Sequence, residues 1–242
     1  MTDHDAADAD ADADDPRAAL VRVGKAFHRR GWMDGTAGNL SARLPDGTFW
    51  ITASGRHKGE LTLRDFVRLG PGGAVVERHA PGDRPSAEAA IHVELYRWSA
   101  AHAVPIGSIL HVHSVEANLA GELAAWNPDG GTAPRRLGLP PLEMLKGLGH
   151  PEEHPDVDLD VFDNHADVPR IAADLAARFA TRPPDVPAML IRRHGLTAWG
   201  ADVAAARNHL ELVEFLLRAR VMSHTEGIAA WSAAHPAAPP LR

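Results

Sequence analysis

The sequence predicts one α/β domain, a mixed sheet flanked by helices, preceded by a disordered N-terminal tail. Three observations predict this fold class. Short apolar segments typical of strands alternate along the chain with amphipathic segments of helical period. The 242 residues are enough for one sizeable hydrophobic core. Neither an internal repeat nor a linker divides the chain into two cores.

The first half of the chain contains two predicted helices and several short strands. The first helix begins at Asp15-Pro16, because proline is favoured at the first helical position, and ends at Gly31. A tight turn over residues 35–39 then leads into paired strands. The predicted strands are 40–44, 49–53 and 75–78, and the next helix starts at Ser86 and passes through Ile91, Leu95 and Trp98.

The second half repeats this alternation around a buried strand that ends in histidines. Ser114 is a predicted N-cap for a helix over 115–120, because its hydroxyl can accept a hydrogen bond from the first turn. Asp167 and Asp202 cap the later helices in the same way. The remaining predicted elements are a helix over 168–180, a strand over 188–191 and a helix over 203–223.

Composition and charge exclude several classes of protein. The chain has no cysteine, which excludes disulfides, thiolate nucleophiles and Cys-ligated zinc. Its net charge of −7 reflects seven aspartates among residues 1–15, and outside them acidic and basic residues balance. A neutral body offers no electrostatic case for binding nucleic acid or an anionic membrane.

The same features predict the organisation of the chain. We expect a disordered, solvating acidic tail over 1–15, a folded domain over 16–228 and an Ala/Pro-rich tail over 229–242. No segment approaches the roughly 20 apolar residues of a membrane span, and the acidic N-terminus is unlike a signal peptide. We therefore expect a cytoplasmic protein.

The pair His111-Val112-His113 is the strongest functional signal. Residues two apart in a strand share a face, so both imidazoles project the same way, as two ligands of one metal require. The alternative is two core histidines hydrogen-bonded to backbone, but burying both on an apolar strand is costly. His194, just past another apolar strand, offers a third imidazole unless it is only a surface-loop residue. Three histidines with an open position are typical of a catalytic metal site.

A second cluster combines hydroxyls, exposed backbone N–H groups and one ammonium. That mixture suits a phosphate monoester, because glycines let the backbone approach the phosphate oxygens. Ordinary turn chemistry explains each piece separately, and neither a Walker nor a dinucleotide motif is present. The candidate phosphate ligands are Thr36, Gly38, Asn39, Ser54, Gly55 and Lys58.

Two glutamates are candidate acids. Glu88 lies in the first turn of its predicted helix, where the sequence alone favours an interaction with the helix dipole. Glu143 stands among apolar residues, which suits general acid–base chemistry near neutral pH. An exposed acid on an amphipathic turn is an equally good interpretation of Glu143.

Taken in order, these motifs resemble the class II aldolase and adducin family. The resemblance runs from about Arg17 to Ser223 and rests on the patterns Thr-x-Gly-Asn, Ser-Gly, Pro-Ser-x-Glu, His-x-His and His-Gly. Within the family, the likeness is greatest to the dehydratases of methionine salvage. Its discriminating pieces are Ile-Thr-Ala-Ser-Gly over 51–55 with Lys58-Gly59, and Glu-Met-Leu-Lys-Gly over 143–147.

The resemblance implies a fold and an activity. It implies a three-layer domain with an antiparallel-rich sheet, a homotetramer with sites near subunit contacts, and one Zn²⁺ per subunit on His111, His113 and His194. The implied reaction is dehydration of 5-methylthioribulose 1-phosphate to 5-methylthio-2,3-dioxopentyl phosphate, a lyase step of methionine salvage. Glu143 would remove the C3 proton and protonate the departing C4 hydroxyl, and Glu88 would be a metal ligand, a base or a helix-dipole partner.

Two other functions remain open at this point. The first is a class II sugar-phosphate aldolase or 4-epimerase, enzymes that use tyrosines, whereas this chain has only Tyr96. The second is a non-catalytic scaffold like the adducin head, against which the three histidines argue. A small phosphorylated sugar is the expected partner in either catalytic case.

Overall fold

The part of the chain described by the computed structural model, residues 15–125, 135–153 and 155–226, is built around a nine-stranded sheet. The strand order is β4-β3-β2-β1-β5-β9-β8-β7-β6, and only β7 and β8 pair in parallel among these residues. The strands are β1 (Asn39–Arg43), β2 (Phe49–Thr52), β3 (Phe66–Leu69), β4 (Val75–Arg78), β5 (Ser108–Val112), β6 (Arg136–Gly138), β7 (Asp158–Phe162), β8 (Ala188–Ile191) and β9 (Gly195–Gly200).

Helices cover both faces of this sheet, so the molecule has three layers. The helices are α1 (Pro16–Arg29), α2 (Ala89–His102), α3 (Val115–Ala125), α4 (Val168–Thr181) and α5 (Val203–Thr225). Alternate strand residues face opposite ways: Leu110 of β5 joins the core under α1, α3 and α5, whereas Ile109 joins the core under α2 and α4. The predicted antiparallel-rich α/β fold is therefore confirmed.

Side-chain caps explain where most of these helices begin. The Asp15 carboxylate accepts a hydrogen bond from Arg17 N at 2.9 Å, Ser114 Oγ accepts from Ala117 N at 3.0 Å, and Asp202 accepts from Ala205 N at 2.7 Å. Helix α2 starts three residues later than predicted. Residues 86–88 form a separate turn in front of it, closed by a hydrogen bond from Ala89 N to the Ser86 carbonyl.

Strands β3, β6, β7 and β9 were not predicted from the sequence. In β7 the aspartates interrupt the apolar pattern, so the segment does not look like a buried strand. The structure shows why it is one: the Asp160 carboxylate is buried and lies 3.6 Å from both the Arg136 and Arg178 guanidinium groups. Paired charges make burial of an acid tolerable there, and no local pattern reports that pairing.

Several sequence predictions fall outside the described residues. The acidic tail, apart from Asp15, and the Ala/Pro-rich tail over 229–242 lie there, as does most of the Gly/Pro-rich stretch 127–141. The three-part division of the chain therefore stays a prediction. Among the helices that the structure describes, none is both long and apolar enough to cross a bilayer.

Candidate metal centre and adjoining pocket

Four side chains converge where the central strand β5 ends and its neighbour β9 begins. His111 lies near the end of β5 and His113 just beyond it, His194 occupies the turn before β9, and Glu88 immediately precedes α2. One ligand atom from each lies within 4.8 Å of the others. The Nε2 atoms of His111 and His113 are 2.9 Å apart, as expected for two imidazoles on the same side of a strand.

Strand pairing brings His194 to the other histidines. Antiparallel β5 and β9 place Val112 opposite Leu196, so the turn before β9 lies beside the end of β5. Gly195 is essential to this approach, because a Cβ there would lie 2.0 Å from the Val112 carbonyl oxygen. The Asn118 side-chain amide donates to the His194 carbonyl at 3.2 Å and holds the turn against α3.

Glu88 is a member of this cluster. Its Oε1 atom accepts a hydrogen bond from His194 Nε2 at 2.9 Å, and its Oε2 atom lies 3.1 Å from His111 Nε2. The Asn39 amide also donates to Oε2 at 2.9 Å. The helix-dipole role favoured by the sequence therefore does not describe what this carboxylate contacts.

The electrostatics of the cluster suit a divalent metal. Burial lowers the pKa of His111 to about 3 and that of His113 to about 4, although the Glu88 charge opposes this. Burial by itself would raise the pKa of Glu88, but the His111 and His194 imidazoles and the Asn39 amide outweigh it and hold that pKa below its ordinary value. Neutral imidazoles and an ionised carboxylate are the protonation states that a metal requires of its ligands.

Two further observations fit a metal. The Nδ1 atom of His111 is 2.9 Å from the Thr197 hydroxyl, which fixes the ring and leaves Nε2 facing the cluster. The Nε2 atom of His194 likewise faces the cluster, 2.9 Å from Glu88 Oε1. Imidazole and carboxylate together are a donor set that zinc and similar divalent ions accept.

A cavity of about 160 Å³ opens beside the cluster. All six predicted phosphate ligands, from Thr36 to Lys58, line it together with Glu88 and His113. The buried Lys58 ammonium donates to the carbonyls of Thr36 and Arg56, both at 2.8 Å. Burial lowers its pKa to about 8, while the Glu88 charge acts in the opposite direction.

Two of the predicted phosphate ligands, Asn39 and Gly38, also have structural roles within the protein. The Asn39 amide nitrogen is engaged by Glu88 and its amide oxygen lies 2.5 Å from His92 Nε2, which leaves mainly its backbone for a ligand. Gly38 has a φ of +77°, and a Cβ there would lie 2.7 Å from the His111 carbonyl oxygen. The turn itself requires this glycine, so its substitution would perturb folding as well as any phosphate site.

Glu143 does not have the apolar surroundings that the sequence suggested. It begins a short 3₁₀ helix, Glu143–Leu148, in which residues three apart share a side. Leu145 and Leu148 face the core, whereas Glu143 and Lys146 face solvent and form an ion pair of 2.9 Å. The Glu143 side chain is 80% exposed, and no contact found among the described residues joins it to the histidine cluster.

Sequence reasoning missed His92, which the motifs did not single out. The residue is buried, and it reaches Glu88 through Asn39. The available signal was the spacing of Glu88, His92 and Tyr96, which are four residues apart and therefore lie on one side of a helix.

Comparison with protein families agrees with this geometry. Residues 18–221 match the family model for the class II aldolase and adducin N-terminal domain. The chain is 48% identical over 211 residues to the methylthioribulose-1-phosphate dehydratase of Microcystis aeruginosa, and the match covers 87% of this chain and 97% of that protein. It is 40% identical over 204 residues to the enzyme of the same name from Leptospira biflexa, covering 82% and 93%.

Solved structures show the same fold. The L-fuculose-1-phosphate aldolase of Thermus thermophilus superposes with a TM-score of 0.64 at 24% identity, covering 88% of this chain and 96% of that one. Another L-fuculose 1-phosphate aldolase gives a TM-score of 0.68 at 22% identity, covering 88% of both chains. At these identities the likeness establishes the fold alone.

Proposed function

The chain belongs to the class II aldolase and adducin family, and we propose that within this family it is a hydro-lyase. Its substrate is 5-methylthioribulose 1-phosphate, which loses water to give 5-methylthio-2,3-dioxopentyl phosphate in methionine salvage. The two named dehydratases align with this chain over almost their whole length, and this similarity supports the choice of reaction.

The observation that carries the proposal is the shared pocket. The cavity that contains Lys58 and the Thr36 turn also contains Glu88 and His113. A phosphate held by the turn would therefore place the sugar carbons next to the histidines. This arrangement suits metal-assisted chemistry on a phosphorylated ketose, in which the phosphate orients the reacting carbons.

We propose that His111, His113 and His194 hold one Zn²⁺ per subunit. The bound ion supplies Lewis-acid polarisation of the substrate carbonyl, which makes the neighbouring C3 proton more acidic. The chain itself contributes orientation: Thr197 fixes the His111 ring, and Asn39 fixes the Glu88 carboxylate. Glu88 lies close enough to the histidines to act as a further ligand or as a base at the metal.

Glu143 is proposed as the group that moves the proton from C3 and then to the departing C4 hydroxyl. Because its described contacts are on the surface, this role requires the Glu143 carboxylate to enter the site of a neighbouring subunit. We therefore link the role to the proposed homotetramer, in which the sites lie near subunit contacts. Glu88 is the competing proton carrier within a single chain.

Aldol cleavage is the second candidate function, and the position of Glu88 favours it. An acid at this place serves the metal or acts as base in the aldolases that the motifs resemble. Cleavage of the C3–C4 bond of the same substrate would give dihydroxyacetone phosphate and methylthioacetaldehyde. Dehydration keeps all five carbons in one product.

The test is product analysis with purified, metal-loaded protein and 5-methylthioribulose 1-phosphate. We expect the 2,3-diketone phosphate to accumulate with consumption of the substrate. Dihydroxyacetone phosphate as the main product would establish the aldolase function instead. A protein that neither binds a divalent metal nor consumes the substrate would favour a non-catalytic scaffold.

A further inference from the structure

A continuous line of hydrogen bonds, buried except for the partly buried one to Glu88, leads from Tyr96 to the histidine cluster. The Tyr96 hydroxyl lies 2.8 Å from Ser41 Oγ, and Ser41 Oγ lies 2.7 Å from His92 Nδ1. His92 Nε2 lies 2.5 Å from Asn39 Oδ1, and the Asn39 amide donates to Glu88 at 2.9 Å. The first four side chains of this line are not proposed metal ligands, so metal binding alone does not explain why they are hydrogen-bonded in a row.

Two regular spacings create this line. Glu88, His92 and Tyr96 are four residues apart, which aligns them along one side of the α2 region. Asn39 and Ser41 are two residues apart and share a face of β1. Helix α2 packs on that face of the sheet, so the two rows interlock: each strand residue lies between neighbouring members of the helical row.

Only one assignment of donor and acceptor roles is consistent along the whole line. Since the Asn39 NH₂ group donates to the Glu88 carboxylate, its Oδ1 atom must accept, and His92 Nε2 therefore carries a proton. Burial lowers the pKa of His92 to about 4, so the ring is neutral and its Nδ1 atom accepts from the Ser41 hydroxyl. Ser41 Oγ then accepts from Tyr96, whose ionisation burial opposes by raising its pKa.

A neutral His92 in this tautomer fixes the Asn39 amide in one orientation. Turned the other way, the amide would present its oxygen to the Glu88 carboxylate and its NH₂ group to the His92 N–H. The contact with the Glu88 carboxylate would be repulsive, and the His92 N–H would lose its acceptor. The line therefore supports the amide orientation in which Asn39 donates to Oε2 and holds the Glu88 carboxylate towards His111 and His194.

We propose that His92, supported by Ser41 and Tyr96, is a positioning residue that sets the orientation of Asn39 and Glu88 for metal binding. The inference rests on the metal centre of the proposed function. His92 itself contacts none of the three histidine ligands in the hydrogen bonds that the structure describes. Groups that hydrogen-bond directly to metal ligands typically change metal affinity by roughly 10- to 100-fold when they are removed, and His92 lies one residue further out, behind Asn39.

The test compares three variants with a matched control on the same helix. His92→Leu removes both ring nitrogens, His92→Gln restores one donor and one acceptor, and Tyr96→Phe removes only the terminal hydroxyl. Leu95→Ala is the control, because Leu95 is fully buried on α2 but takes no part in the line. For each protein we would measure thermal unfolding without metal, zinc affinity by chelator competition, and kcat and KM.

We expect His92→Leu to weaken zinc binding by roughly 10-fold, the lower end of the range for direct partners of metal ligands, and to lower kcat, with KM little changed. His92→Gln should recover most of the affinity, and Tyr96→Phe should lose only a few-fold. Leu95→Ala should lower the unfolding temperature without this loss of affinity. If His92→Leu does not fold, the comparison of His92→Gln, Tyr96→Phe and Leu95→Ala decides the matter.

Zinc affinity that follows unfolding temperature alone across the four variants would overturn the positioning role. So would unchanged zinc affinity in His92→Leu. Failure of the wild-type protein to bind zinc is a different result, since it removes the metal centre and with it the proposed function.

Discussion

At the scale of single residues, the histidine cluster depends on the orientation of each imidazole. His113 is the most informative position, because it lines the cavity and is packed less tightly than His111. We expect His113→Ala to lose bound metal and activity while helix content by circular dichroism stays near wild type. His79→Ala is the control, since His79 is exposed and is not one of the four residues of the cluster. Full metal occupancy in His113→Ala would disprove its role as a ligand.

The ionisation of Lys58 predicts how kcat/KM for the phosphorylated substrate depends on pH. Its amine is charged below a pKa of about 8 and attracts phosphate, whereas above that value it is neutral. We therefore expect kcat/KM for the phosphorylated substrate to fall as the pH rises through about 8. Lys58→Met should lower kcat/KM roughly 10- to 100-fold, the worth of a hydrogen bond to a charged group, and should lack this fall. If kcat/KM of the Lys58→Met variant still falls at high pH, a group other than Lys58 is responsible for the fall.

Paired substitutions distinguish the roles of Glu88 and Glu143. Glu143→Gln keeps the shape of the side chain but cannot carry the proton, so kcat should fall roughly 10²- to 10⁴-fold, with KM and metal content near wild type. Glu88→Gln should weaken metal binding as well, because Glu88 contacts two of the histidines. An aldolase predicts the reverse ranking, with Glu88 critical and Glu143→Gln mild. A fully active Glu143→Gln enzyme would rule out the proposed dehydration mechanism.

At the scale of elements, two aspartates with the same predicted role differ in the structure. Asp202 caps α5 with a hydrogen bond to Ala205 N, whereas Asp167 precedes α4 without a side-chain capping bond. Both are exposed, so they form a matched pair. Asp202→Ala should reduce the free energy of unfolding by about 1 kcal/mol, and Asp167→Ala by less. Equal losses in denaturant titrations would mean that charge near the helix end, and not the cap, is responsible.

At the scale of the whole molecule, the surface position of Glu143, with no described contact to its own cluster, predicts sharing of sites between subunits. Neither Glu143→Gln nor His113→Ala should be active alone. If Glu143 acts on a neighbouring site, a mixed oligomer of the two variants contains some sites with both wild-type residues. We expect coexpression, or mixing after reversible dissociation, to restore activity. Mixed oligomers that remain inactive would restrict catalysis to a single chain and favour Glu88.

The elements that the sequence predicted well have strong local signals. Proline after Asp15, the Ser114 cap and the apolar stripe of α5 identify helix ends and faces from neighbouring residues alone. The His-x-His pair likewise follows from the two-residue period of a strand. Strand β7 was missed because its stability depends on arginines from β6 and α4, which are distant in sequence.

The sequence by itself determined the fold class, the family and the residue types available for chemistry, because periodicity, caps and motif spacing are local properties of the chain. Only the tertiary structure decided which acid meets the histidines. Glu88 reaches them because α2 packs on β1, and Glu143 does not, since the side of its 3₁₀ helix faces solvent. The buried line from Tyr96 to Glu88 has the same origin: its members come from two distant segments, and only packing places their donors opposite acceptors.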